Sequence, residues 1–164
     1  HPNRLLSFTS ISVATVGPSQ QPSLEVMAAL LENRPTQKFE ESLQGFMRSW
    51  EILNGEVSLD IDMAKAYTRE LYDRSLHPVG VAWSHIKAQE CVYDLSQELS
   101  NITISGLFIH GEKDPLILVD GGIRTAKATS HASFKIIPKM GHMIFNSDLQ
   151  QYIATLLVEH FSKQ

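Results

Sequence analysis

The rhythm of apolar positions changes twice along the chain. In Leu5-Leu6-Ser7-Phe8-Thr9-Ser10-Ile11-Ser12-Val13, apolar and hydroxyl residues mix with β-branched members, and Gly17-Pro18 closes the run. That predicts a strand suited to burial on both faces. From Pro22 to about Leu99 glycine becomes scarce and the apolar spacing turns helical. Ser23 can cap a helix carrying Leu24, Met27, Ala28, Leu30 and Leu31, which stops near Asn33 because Pro35 follows. Phe39, Leu43, Phe46, Met47, Trp50 and Leu53 then fall on one face of a second helix that Asn54-Gly55 ends. A third helix is predicted from Asp60 to Ser75, with Ile61, Ala64, Tyr67 and Leu71 on one face, before Pro78 and Gly80 break it. A fourth, from about Gly80 to Leu99, carries Trp83, Ile86, Cys91, Val92 and Leu95.

After Asn101 strands and helices alternate. Ile102 to Ile109 reads as a strand, Asp114-Pro115 as a turn, Val119 to Thr129 as a helix, and Ser133 to Ile137 as another strand ending at Gly141-His142. Ser147 with Gln150 makes a capping box for a last helix, whose face carries Leu149, Tyr152, Ile153, Leu156, Leu157 and Phe161. A strand, a helical insert and two βα units predict the α/β class, with a short parallel sheet of about three strands and flanking helices. The expected division is a core of residues 1–18 and 100–164, with an all-helical insert over 19–99.

Composition narrows the function classes. With 164 residues, 43% of them hydrophobic and 20% charged, the chain has enough material for one core. A net charge of −4, spread rather than blocked, offers no electrostatic footprint for nucleic acid or an anionic membrane. Cys91 stands alone, so the chain holds no internal disulfide, and a reducing, cytoplasmic setting is the expectation. No apolar run reaches the roughly 18 residues of a membrane span. The opening His1-Pro2-Asn3-Arg4 is neither a signal peptide nor a Met start.

Candidate chemistry lies at the ends of the two later strands. In open α/β sheets, functional side chains gather outside the carboxyl ends of the strands. Asp114 and His142 both fall there. By residue type alone Asp114 is a turn former before Pro115, and His142 competes with six other histidines. His77, His85, His131 and His160 lie in or beside predicted helices and are expected in solvent, and His1 is terminal. The spacing of His110 and Asp114 matches no standard zinc pattern, so no metal and no cofactor are expected. Glu112 and Lys113 read as solvated turn residues. Phe39, Phe46, Met47, Trp50, Tyr67 and Trp83 read first as core, although some would face a cleft if the insert is a lid.

His110-Gly111-Glu112-Lys113-Asp114-Pro115 and Gly141-His142 resemble the acid and base turns of the α/β-hydrolase superfamily. Pro2-Asn3-Arg4-Leu5-Leu6-Ser7-Phe8-Thr9-Ser10-Ile11, Tyr72-Asp73-Arg74-Ser75 and Pro78-Val79-Gly80-Val81-Ala82 resemble segments of its aclacinomycin methylesterase-like group. The resemblance implies the carboxyl-terminal part of an α/β-hydrolase fold with a helical cap. It also implies that Asp114 is the acid and His142 the base of a Ser-His-Asp-type triad, with His110 a packing residue. The reaction implied is hydrolysis of a small-molecule carboxylic ester. No serine here stands in a G-x-S-x-G elbow. The nucleophile is therefore expected outside this chain, in a parent of about 250 to 300 residues, and the chain alone is expected to be inactive. An epoxide hydrolase or dehalogenase with an aspartate nucleophile, and a non-catalytic interaction module, remain alternatives. The Leu5–Val13 strand is expected to lack its inner neighbour, and so to pair with the amino-terminal half or with a second copy.

Overall fold

Four consecutive buried residues, Leu107-Phe108-Ile109-His110, make the middle strand of the sheet, because only a strand covered on both faces can bury a whole run. The computed structural model describes residues 4–17, 21–32, 36–75 and 94–163. In chain order its elements are β1 (Ser7–Ile11), α1 (Leu24–Glu32), α2 (Phe39–Leu53), α3 (Ile61–Arg74), α4 (Ser96–Ser100), β2 (Ser105–Gly111), α5 (Val119–Ala128), β3 (Ala132–Ile137) and α6 (Ser147–Phe161). The strands are parallel in the order β1-β2-β3, with Ile11 beside Ile109 and Gly111 beside Ile137.

Alternation along β2 sends its side chains to two covers. Leu107 and Ile109 join Ile137, Met140, Leu149 and Ile153 in one cluster, so α6 packs on that face. Phe108 and His110 take the other face, where α5 leaves room through Gly122; a Cβ there would come 2.9 Å from His110 Cε1. A second apolar cluster joins the helical segment to the loop after β3, through Trp50, Leu53, Ala64 and Phe145. The chain leaves and rejoins the sheet region at neighbouring points. Leu95 N–H donates to the Thr15 carbonyl at 2.9 Å, and Gly17 N–H to Asp94 Oδ2 at 2.9 Å.

Several expectations change in detail. β2 begins at Ser105, not Ile102. The cap of α6 is Asn146, whose side chain accepts Leu149 N–H at 2.9 Å. Gln150 instead donates to the Ile144 carbonyl at 3.0 Å, so the capping box does not form. In α3 the buried positions are Ala64 and Thr68, while Ile61 and Tyr67 are exposed. Thr68 is drawn inward because its hydroxyl accepts Trp50 Nε1–H at 2.8 Å and donates to the Ala64 carbonyl at 2.7 Å, a pairing that apolar periodicity cannot register. His160 is buried rather than solvated, its Nε2 lying 3.2 Å from the Phe8 carbonyl, whereas Tyr152 and Phe161 on the same helix stay exposed. Most of the expected fourth helix, with Trp83 and Cys91, lies outside the described residues, and only Ser96–Ser100 of it is seen as helix. Among the described residues no helix is long and apolar enough to cross a membrane.

Candidate functional site

β2 ends at Gly111, and the next turn delivers Asp114. Its side chain is fully buried, so each carboxylate oxygen needs a partner. Oδ1 accepts the N–H groups of Leu116 and Ile117, both at 2.9 Å, which fixes the carboxylate in its own turn. Oδ2 is left facing His142 Nδ1 at 2.9 Å. A carboxylate only accepts, so Nδ1 carries the proton and Nε2 of a neutral His142 ring is the free lone pair. The His142 side chain is 24% exposed, against none of the Asp114 side chain.

His110, one turn of sequence earlier, braces the same loop. Its Nε2–H donates to the Ile117 carbonyl at 2.7 Å, and the same nitrogen lies 3.6 Å from Asp114 Oδ2, beyond hydrogen-bond range. The structure therefore unites Asp114 with His142 and leaves His110 as a buried neighbour of the pair.

Backbone contacts stitch the two turns together. Glu112 N–H donates to the Ile137 carbonyl at 3.0 Å, and Lys113 N–H to the Met140 carbonyl at 2.9 Å. Gly111 permits this approach, since a Cβ there would sit 2.7 Å from the Met140 carbonyl carbon. Glu112 and Lys113 are exposed, yet they are more than solvated turn residues. Glu112 Oε2 accepts Lys139 N–H at 3.3 Å, and Lys113 Nζ lies 3.3 Å from Glu56 Oε1. Sequence reasoning missed the contribution of Leu53, whose carbonyl accepts the N–H groups of both His142 and Met143. The signal available was Asn54-Gly55, read only as a helix end.

Leu116 and Met143, which follow the acid and the base in sequence, pack against the cluster of Trp50 and Phe145. Phe46 stacks on Trp50 at 5.4 Å between centroids, and Trp50 meets Phe145 edge-on at 5.5 Å. One flank of the acid–base pair is thus apolar and aromatic. A shallow open groove lies elsewhere, lined by Thr103, Ser105, Ser130, His131 and Ser133 at the amino ends of β2 and β3. No acid–base contact is found among those lining residues, and the Asp114–His142 contact lies at the opposite end of the sheet. Among the described residues no group of three or more metal-ligating side chains converges, and no hydroxyl or thiol is hydrogen-bonded to His142.

No protein-family model matches the chain. No curated protein sequence matches it either. Solved structures do. A meta-cleavage product hydrolase from Pseudomonas fluorescens superposes with a TM-score of 0.65 at 16% identity, covering 94% of this chain and 55% of that one. An esterase from a Rhodococcus species gives 0.64 at 15% identity, over 96% and 56%. A carboxylesterase from Bacillus subtilis gives 0.62 at 16% identity, over 99% and 53%. The fold is thus a portion of the α/β-hydrolase fold, and the chain spans a little over half the length of these structures.

Proposed function

We propose that this chain supplies the acid, the base and the cap of a carboxylic ester hydrolase whose nucleophile lies on another segment of the whole protein. The observation that carries the reading is the 2.9 Å contact between His142 Nδ1 and the buried Asp114 Oδ2 at the carboxyl end of the sheet. In this role Asp114 orients the ring and stabilises the imidazolium, and Nε2 of His142 takes the proton of a serine hydroxyl as its oxygen attacks the ester carbonyl. The proton then passes to the departing alcohol. Water repeats the sequence on the acyl-enzyme and frees the acid and the serine. No cofactor takes part.

The cap assignment, residues 19–99, is supported by the close approach of the chain where it leaves and rejoins the sheet, at Thr15–Leu95 and Gly17–Asp94. The aromatic flank at Trp50 and Phe145 favours an apolar acyl or alcohol group. The named neighbours include an esterase and a carboxylesterase, which supports the same reaction class. The lone Cys91 suits a reducing cytoplasm.

The test uses the whole protein and short p-nitrophenyl esters. Hydrolysis should fall by orders of magnitude in His142→Ala, and an unchanged rate there would sink the assignment. The 164-residue chain by itself should take no label from a serine-directed phosphonate.

A further inference from the structure

The turn that carries His142 is fastened to the end of α2 as well as to the sheet. The Leu53 carbonyl accepts His142 N–H at 2.7 Å and Met143 N–H at 3.0 Å, and the Asn54 carbonyl accepts Gly141 N–H at 3.2 Å. Carbonyls at a helix's carboxyl end lack partners inside the helix, so those of Leu53 and its cap Asn54 are free to hold another segment. Their position depends in turn on the Asn54 side chain, which is buried at 1% exposure. Its Nδ2 donates to the Val57 carbonyl at 2.9 Å, and its Oδ1 accepts Phe145 N–H at 3.1 Å. An asparagine that merely closed its own helix would bond only its own turn. Here one of the two bonds spans 91 positions of sequence and lands on the segment of the base.

We propose that Asn54 is a positioning residue for His142. It clamps the end of α2 to the segment around Phe145, and so fixes the two carbonyls that set where the imidazole stands. The proposal rests on His142 being the base. It also makes α2 and the base one mechanical unit, so a displacement of this part of the insert displaces the imidazole.

The readout is the nitrogen-15 spectrum of the His142 ring in the 164-residue chain. The unmutated chain should show the Nδ1–H tautomer. Asn54→Ala should give a tautomer mixture, with the Nδ1 proton exchanging with water on the order of tenfold faster, as for the loss of one net hydrogen bond. Thr68→Val is the control, because it removes the buried Trp50–Thr68 bond of 2.8 Å without touching the His142 turn. An unchanged spectrum in Asn54→Ala, or an equal mixture in Thr68→Val, overturns the proposal. If Asn54→Ala does not fold, Asn54→Ser is the second variant, because its hydroxyl is too short to hold both the Val57 carbonyl and Phe145 N–H; a pure Nδ1–H tautomer there also overturns it. Asp114→Asn separates the two levels. If that change leaves the His142 ring unaltered, the acid–base reading fails, whatever Asn54 does.

Discussion

Gly122 stands where any side chain would enter the ring of His110. A Cβ at that position would come 2.9 Å from Cε1 and 3.0 Å from Cγ of the imidazole. The ring cannot swing aside at low cost, because it is 1% exposed and its Nε2 is held by the Ile117 carbonyl at 2.7 Å. Two effects oppose each other in Gly122→Ala. Alanine within a helix is worth about 1 kcal/mol over glycine. Overpacking costs about 1 to 3 kcal/mol, and a disturbed hydrogen bond about 1 kcal/mol more. The clash should win, and urea unfolding should show a loss of roughly 1 to 3 kcal/mol. A neutral or stabilising result would mean that α5 moves away freely and does not brace the acid loop.

Gly55 and Gly17 separate backbone strain from contact. Both are left-handed, at φ +73° and +74°. A Cβ on Gly55 would lie 2.6 Å from Gly141 N and 2.7 Å from the Lys139 carbonyl oxygen, whereas one on Gly17 would meet, among the described residues, only the Arg124 side chain, at 3.3 Å or more. Gly17→Ala should therefore cost only the left-handed penalty of about 1 to 2 kcal/mol. Gly55→Ala should cost clearly more, since backbone atoms cannot step aside. Equal losses in thermal or urea unfolding would show that the α2 end is not locked against the His142 turn.

The same positions show what the sequence could and could not reveal. That Asp114 and His142 stand beyond strand ends was legible because those ends are marked locally, by an apolar run that breaks at glycine. The ends of α2 at Phe39 and Leu53 were legible for the same reason, through one-face spacing and a glycine stop. Partners distant in sequence were not. Thr68 looks like a surface residue until Trp50 offers its indole N–H, and His160 until the Phe8 carbonyl comes within 3.2 Å. Asn54 reads as a helix terminator, and its bond to Phe145 exists only after the chain has folded. Asn146 displaced Ser147 as the cap because either residue can play that part and only the backbone geometry chooses between them.

Asp94 ties the two ends of the insert together and should give it a pH dependence. Its carboxyl is held below its ordinary value of 3.8 by hydrogen bonds from Ser96, first through the side chain and then the backbone, and from the backbone of Gly17. A carboxylate with a lowered folded-state pKa stabilises the fold above its unfolded value, and that contribution fades as pH falls through the lowered one. The Thr15–Leu95 junction should therefore loosen on acidification below about pH 4. Hydrogen exchange at Gly17 and Leu95 should report it, and Asp94→Asn should abolish that pH dependence. Persistence in the variant would assign the acid sensitivity to another carboxylate.

Among the described residues β1 is paired on one side only, through β2. Ser12 N–H donates inward to the Ile109 carbonyl at 2.9 Å, so by strand alternation the N–H groups of Ser7, Thr9 and Ile11 point outward. Leu5 and Leu6 beside them are exposed at 52% and 81%. An open edge flanked by apolar side chains is a template for another strand. In the whole protein we propose that the segment bearing the nucleophile covers it, and in the isolated chain a second copy. Thr9→Pro removes an outward donor while sparing the inward ladder, and proline is tolerated at that kind of edge position. The unmutated chain should sediment above its monomer mass of 18.4 kDa at roughly tens of micromolar, as exposed strand edges associate in that range. Thr9→Pro should be monomeric with the same circular dichroism. A monomeric unmutated chain, or a variant that associates equally well, would place the contact elsewhere or remove it.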